Sequence, residues 1–409
     1  MTDTPSRRPL SIVFMAETYH PILGGGEKHT RSLARGLVEE GFKVDVVTRQ
    51  STADLAPLEN DGGVTIHRVG PTGQGRTKKF AMAPGALRTA RRLARESDVV
   101  MNGGTRVLAL PARMAVARTS CALVLRPELN GELDGSLALW GRKANAIERG
   151  AAFAMARGRN LLLQRTGAVV AISQEIAREA VRAGFPSDKV HLIPHGIDMA
   201  EYAPVSAADK VAKRRALGLP EDKMIATYTG RLIEGKGLET LLEAMTSLAD
   251  LGQLQLVLVG SGSGQVISIE EKLRKDVNEG PLNGRVTFTG RVDNVPTHLQ
   301  ASDIFVFPTL DEALGMSAVE AQACGLPAVA SRTGGVPDII DDGQTGFLVP
   351  PGQAAPLAAG IRALVADSGL RQRFAISARA NTMQRFALRT MVTRYADLFR
   401  ALAAEGSSS

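Results

Sequence analysis

The chain has 409 residues, 44% of them hydrophobic and 22% charged, with a formal net charge of +7. That length holds two α/β domains with full cores, and that composition excludes a disordered or fibrous chain. No apolar run reaches the length of a membrane span, and residues 1–9 lack the apolar core of a signal peptide, so a cytoplasmic location is expected.

The charge is uneven. Residues 1–200 carry 28 Lys+Arg against 19 Asp+Glu, a balance of +9, and the remaining residues carry 21 against 23, a balance of −2. Most of the excess lies in residues 76–165, with 17 basic and 6 acidic side chains. Such asymmetry fits either an acidic partner (anionic lipid, a phosphorylated acceptor or nucleic acid) or a solvated basic face. Cys121 and Cys324 fall in apolar elements and read as buried thiols, with no metal-ligand spacing around them.

In chain order, residues 10–16 read as a strand, 27–40 as a helix ended by Gly41, and 43–48 as a second strand. Residues 64–69, 98–101, 122–125 and 168–172 are further apolar, β-branched runs, with helical segments between most of them. Strands alternating with helices imply a parallel, doubly wound sheet. A polar stretch over 200–222 interrupts the pattern, which restarts with strands at 224–228, 254–259, 286–289, 304–307 and 328–330. Two Rossmann-like domains fit this better than one large sheet. A helical tail over 354–404 closes the chain, and its last helix, from about 386, is expected to cross back to the first domain. Ligands of such sheets bind beyond the carboxyl ends of the strands, so the productive site is expected in the cleft between domains.

The densest chemistry follows the strand at 304–307. Gly315 opens a helix expected to run to Cys324 and stop at Gly325, with Pro327 beyond. A helix N-terminus seats a phosphate. Glu312 hangs in the loop before it, and Glu320 sits about a turn and a half inside it. Two acids bracketing an anion seat suit a ligand with a central diphosphate and hydroxyls at both ends, the outline of a nucleotide-sugar.

Three other strand ends carry polar turns. Gly24-Gly25-Gly26-Glu27 follows the first strand and opens a helix, so its backbone can approach a phosphate or sugar, although it lacks the spaced dinucleotide fingerprint. Thr229-Gly230-Arg231 through Lys236-Gly237 follows the first strand of the second half, where two cations could hold a diphosphate leaving group without a metal. Gly290-Arg291-Val292 ends another strand, Gly334-Gly335 follows the strand at 328–330, and His195-Gly196-Ile197-Asp198 stands where the chain leaves the first half. Each is compatible with a plain turn, and their common position at strand ends argues for a site.

Taken together, the order and spacing of these motifs, with Gly346-Phe347-Leu348-Val349, resemble the family 4 glycosyltransferases, and the likeness covers nearly the whole chain. The resemblance implies the GT-B fold, two Rossmann-like domains facing across a cleft: residues 1–200 binding acceptor, 201–385 binding nucleotide-sugar, and 386–409 forming a crossover helix and tail. It implies retaining, metal-independent transfer of a hexose-type sugar from a UDP- or GDP-linked donor to a sugar, lipid-linked or small-molecule hydroxyl. No cofactor is implied, the nucleotide-sugar being a co-substrate.

By the same resemblance, Arg231 and Lys236 would hold the diphosphate, Glu312 the transferred sugar and Glu320 the ribose. Backbone N–H groups at Leu314, Gly315 and Met316 would touch sugar or phosphates, Gly25 and Gly26 would lie against the phosphate with Glu27 nearby, and Arg291 and Val292 would read the base. The histidine that many relatives carry near the ends of the fourth and fifth strands is absent here. Met101-Asn102-Gly103-Gly104 and Arg126-Pro127-Glu128 through Glu132 stand in those places. Asn102, Arg126, Glu128 and Glu132, together with Glu27 of the glycine turn, are therefore the open choices for contacting acceptor. Leu314 replaces the usual aromatic, and His195 the usual asparagine.

Residues 140–165 mix Arg142, Lys143, Arg149, Arg157, Arg159 and Arg165 with alanines and leucines. Two readings stay open, an amphipathic helix on anionic lipid or a core helix with cations on its exposed side. For the whole chain, a nucleotide-sugar epimerase on the same fold and a non-catalytic nucleic-acid binder are the competing functions. The latter is disfavoured by an aromatic content of 4%. Missing dinucleotide glycine spacing disfavours a nicotinamide oxidoreductase.

Overall fold

The structure is a computed structural model that describes residues 8–21, 25–73, 75–139 and 144–406. Gly24, Arg142 and Lys143, named above, lie outside the described residues. The chain divides into two compact units, Met1–Gly196 with Leu388–Ser409, and Ile197–Ala387.

The first unit contains β1 (Ser11–Met15), β2 (Lys43–Arg49), β3 (Leu58–Asp61), β4 (Val64–Val69), β5 (Val99–Gly103), β6 (Ala122–Arg126), β7 (Ala168–Ala171) and β8 (Val190–Leu192). They form one sheet in the order β3-β4-β2-β1-β5-β6-β7-β8. All neighbours are parallel except β3 and β4. Ile12 and Phe14 of β1 enter one core, Val13 and Met15 the other, so both faces are covered, as a parallel sheet requires. The helix Gly25–Glu39 packs Leu33, Ala34 and Leu37 on the first face, and Ala83–Leu93 packs Ala86 and Ala90 on the second.

The second unit contains β9 (Met224–Thr229), β10 (Leu254–Val259), β11 (Val286–Gly290), β12 (Ile304–Phe307), β13 (Ala328–Ser331) and β14 (Gly346–Val349), all parallel, in the order β11-β10-β9-β12-β13-β14. Successive strands run outward from β9 to one edge, then restart on its other side at β12. The order therefore reverses between β9 and β12, and between β1 and β5 in the first unit. Loops leaving the carboxyl ends of these strands diverge there, leaving a crevice for ligand.

Four elements differ from expectation. β3 and β8 are edge strands, the first with the polar sequence Leu-Glu-Asn-Asp and the second three residues long, and neither carries a hydrophobic signature. β14 is a full strand whose sequence entered the reading only as a family motif. The polar stretch 200–222 contains the helix Ala207–Ala216, pinned by the buried Arg214 guanidinium, which donates to Asp303 Oδ2 at 2.5 Å and to the Ala301 carbonyl at 2.8 Å. Burial through a charged residue leaves no apolar period to read.

The tail forms three helices. Ala354–Ala366 and Ser368–Phe386 belong to the second unit, and Leu388–Gly406 belongs to the first. The last buries Met391, Val392, Tyr395, Ala396, Phe399 and Leu402 in the first unit's core. No helix among the described residues is long and apolar enough to cross a membrane.

Candidate functional site

In the second unit the loops after β9 and β12 are locked together at the switch point. Gly230 has φ 151°, and a Cβ there would lie 2.6 Å from Tyr228 Oη, whose hydroxyl donates to the Arg231 carbonyl at 3.1 Å. Gly237 has φ 67°, and a Cβ there would lie 1.9 Å from the Pro308 carbonyl oxygen. Only glycine permits both that conformation and that approach. Leu310 N–H donates to the Gly235 carbonyl at 2.9 Å, and Gly335 N–H to the Glu312 carbonyl at 3.0 Å, joining the β13 loop to the same assembly.

This scaffold holds Lys236 Nζ 2.6 Å from Glu312 Oε2, with side chains 18% and 20% exposed. Arg231, from the same loop, is exposed, and its side chain makes no hydrogen bond or ion pair among the described residues. Leu314 is buried, Gly315 has φ 105°, and the helix Met316–Ala323 starts directly after it. The Met316 and Ser317 N–H groups at its start precede the first bonds to the Gly315 carbonyl, which Ala318 and Val319 N–H make at 2.9 and 3.2 Å, and a helix end of this kind is an anion seat. Cys324 caps its C-terminus and Gly325 follows with φ 73°.

Glu320 is half-buried, and its Oε1 accepts from the Tyr202 hydroxyl at 3.1 Å. Burial, and then the Glu320 charge, raise the Tyr202 pKa, so the phenol stays a donor. Arg291 is exposed beyond β11, and Val292 packs on a small core with Leu219, Ile225 and Val257. Both Cys121 and Cys324 are buried free thiols, each pushed up to about 12 by burial first.

In the first unit, Arg126 ends β6 as a fully buried cation. Its Nε donates to Glu128 Oε1 at 2.6 Å and its Nη2 to Thr30 Oγ1 at 2.7 Å. Glu128 Oε2 lies 3.2 Å from His195 Nε2, and the His195 ring stacks on His29 with centroids 4.7 Å apart. His29 Nδ1 donates to the Gly196 carbonyl at 3.2 Å. Burial opposes ionisation of Glu128, but Arg126 and then the His195 hydrogen bond outweigh it and hold the carboxyl at about 2. His29 is pushed well below the usual histidine value by burial and then by His195, so it stays neutral.

Glu132, four residues on, has the opposite environment. It is 4% exposed and accepts from Thr105 N–H at 2.6 Å and Thr105 Oγ1 at 2.9 Å, yet burial raises its pKa to about 7. Asn102 is fully buried and donates to the Gly104 carbonyl. Of the acceptor-side candidates, Asn102, Arg126 and Glu132 are thus buried supports, and Glu128 and Glu27 keep exposed surface. Glu27 accepts from Thr18 Oγ1, and Gly26 offers its carbonyl to Thr30 Oγ1 at 3.0 Å, so the Gly25-Gly26 turn and Arg126 share Thr30.

Sequence reasoning missed Tyr202, Tyr228, Thr30 and His29, and took His195 for a turn residue or a conservative contact. His29 and Thr30 follow Glu27 by two and three positions on one helix, which was a usable signal. The tyrosines reach their partners only through the fold. The basic segment also differs from its bland reading. On the helix Ala146–Leu163 the face opposite the buried Ala152, Ala156, Asn160 and Leu163 is apolar, with Ile147 82% and Met155 70% exposed, and the arginines flank it.

Comparison with known proteins agrees with this architecture. The sequence profile described as Glycosyl transferases group 1 matches residues 209–381, and that described as Glycosyltransferase Family 4 matches residues 23–201. A D-inositol 3-phosphate glycosyltransferase of Xylanimonas cellulosilytica is 32% identical over 229 residues, about half the length of either chain (54% of each). One of Geodermatophilus obscurus is 31% identical over 369 residues, 84% of this chain and 78% of that one. Among solved structures, sucrose-phosphate synthase from Thermosynechococcus elongatus superposes with a TM-score of 0.82 at 25% identity, covering 97% of this chain and 100% of that one. The chain belongs to the family 4 glycosyltransferases and has their GT-B fold of two Rossmann-like units.

Proposed function

We propose that the enzyme is a retaining, metal-independent hexosyltransferase that uses a UDP- or GDP-linked sugar and a hydroxyl acceptor. The observation that carries this reading is the Lys236–Glu312 pair, held by the loops of the switch point three residues before the glycine that opens an anion-binding helix end. Arg231, Lys236 and the first-turn N–H groups from Gly315 neutralise the charge that grows on the departing diphosphate. Glu312 accepts from hydroxyls of the transferred sugar. Glu320, steadied by Tyr202, accepts from the ribose, and backbone at Arg291 and Val292 reads the base. Gly25 and Gly26 let backbone approach the phosphate.

Bond breaking leaves an oxocarbenium-like carbon, and the acceptor hydroxyl attacks the face from which the diphosphate departs. Glu128, with a carboxyl pKa of about 2, is a poor base, so it orients the acceptor hydroxyl by accepting its hydrogen bond. A departing phosphate oxygen, with a pKa of about 6 by analogy with phosphate monoesters, is the better proton acceptor. The covalent-carboxylate route to retention is disfavoured because Glu312 is assigned to the sugar hydroxyls and is here engaged by Lys236.

The test is nucleoside diphosphate release from a panel of nucleotide-sugars. The acceptor panel begins with D-inositol 3-phosphate, named in the relatives, and includes alkyl glycosides and free sugars. Lys236→Ala and Glu312→Ala are expected to lower kcat/KM by about a hundredfold or more with melting temperature retained. Full activity in both variants refutes the site. Peripheral contact with an anionic membrane is a second element of the proposal, favoured by the exposed apolar face of the Ala146–Leu163 helix and its flanking arginines.

A further inference from the structure

Beside that helix, wholly within the first unit, lies a pocket of about 500 Å3, within the range of small-molecule sites. Arg149, Phe153 and Arg157, at i, i+4 and i+8, form one wall. Leu133, Leu139 and Arg182 also line it, Leu133 with its side chain fully buried in the core. We propose that this pocket binds an amphiphile with a single apolar chain and an anionic head group.

The loop that carries Leu133 and Asp134 into the lining is preformed. Glu179 accepts N–H bonds from Gly131, Leu133 and Asp134 at 2.8, 2.7 and 3.1 Å, and Asn160 Nδ2 donates to the Leu133 carbonyl at 2.7 Å. A loop fixed this way costs little further ordering when a ligand enters. Charge selects the head group. Arg182 is committed to Glu175 at 2.9 Å, but Arg149 and Arg157 form no ion pair among the described residues. Asp134 is the only acid of the lining. Two guanidinium groups flanking the exposed Phe153 ring favour an anion whose apolar part covers that ring. A sugar or nucleotide alone would leave the exposed Phe153 and half-buried Leu139 surface wet.

Binding there is independent of transfer and is read without it. The full-length protein is titrated by calorimetry with monododecyl phosphate below its micelle concentration, with inorganic phosphate and with dodecyl maltoside. Monododecyl phosphate is expected to bind one to one, with inorganic phosphate and the neutral detergent each at least about tenfold weaker. Phe153→Asp and the double variant Arg149→Ala/Arg157→Ala change exposed residues, keep the wild-type melting temperature, and weaken binding about tenfold or more. Arg165→Ala, in the turn just after that helix and outside the pocket, leaves it unchanged. The proposal is overturned if wild type does not bind, if inorganic phosphate binds equally well, if Phe153→Asp binds like wild type, or if Arg165→Ala weakens binding as much as the pocket variants.

Discussion

Glu128 and Glu132 sit four residues apart on one loop, and their surroundings drive their pKa values in opposite directions. Arg126 and His195 hold Glu128 ionised, whereas at Glu132 burial outweighs the Thr105 and Glu128 N–H donors and the Glu128 charge adds to it. Glu132 has a folded-state value of about 7, above the ordinary 4.5. Its contribution to stability is therefore complete below about pH 4.5 and lost as pH rises through 7. Buried neutral His29 acts with the opposite sign, costing stability as pH falls below its ordinary 6.5. Wild-type stability mixes the two, so the informative quantity is a difference. Glu132→Gln mimics the protonated acid, and relative to wild type it should gain about 2 kcal/mol between pH 5 and pH 8. Urea unfolding at both pH values measures this, and parallel profiles refute the account. At this scale the sequence displayed the residue types but not their states. A carboxylate's pKa depends on who is buried beside it, and Thr30 and Tyr395 come to Arg126 from opposite ends of the chain.

At the scale of elements, the donor side was legible because its signals are local. A β-branched run, a glycine with positive φ and a helix start lie within a dozen residues, as from β12 to Met316–Ala323, so the strand and helix ends fell within a residue or two of expectation. The tightness of Gly237 against Pro308 was not legible, since it depends on two loops more than seventy residues apart. The helix Ala146–Leu163 shows the converse limit. Its composition announced cations and apolar residues, but composition does not say which face is buried. The structure leaves Ile147, Met155, Leu161 and Leu162 outward, with Leu161 57% and Leu162 62% exposed. Among the described residues no apolar partner covers that face, and a bilayer interface would bury it while its flanking arginines meet anionic head groups. The protein should sediment with phosphatidylglycerol-containing vesicles and not with neutral phosphatidylcholine. Ile147→Asp/Leu161→Asp should lower that partition by about tenfold or more. Equal sedimentation with both vesicle types, or none with either, rejects the membrane reading. Neither substituted residue lines the pocket, so amphiphile binding should survive.

For the molecule as a whole, the two units differ in how the chain builds them. Ile197–Ala387 is continuous, and its ends meet: Ile197 N–H donates to the Phe386 carbonyl at 2.9 Å, and Ile197 bridges Ala387. The other unit is discontinuous, completed by Leu388–Gly406, which covers the same face of the sheet as Gly25–Glu39. The fit is close, since a Cβ at Gly36 would lie 2.5 Å from Val392 Cγ2. The expected division at 200/201 and 385/386 stands a few residues from the junctions at Gly196/Ile197 and Ala387/Leu388, because polar linkers carry no packing period that marks where contacts change sides. An asymmetry in folding follows. A fragment of residues 197–387 keeps its whole sheet and core and should unfold cooperatively alone. A fragment of residues 1–196 exposes the apolar face that Met391, Tyr395, Phe399 and Leu402 cover, and should aggregate or melt far below the intact unit. Losing even Phe399 alone, by Phe399→Ala in the full chain, should cost about 3–5 kcal/mol. Calorimetry of the fragments and the variant checks this. A cooperatively folded 1–196 fragment, as stable as the unit in the intact chain, would show that the last helix is an accessory rather than part of the core.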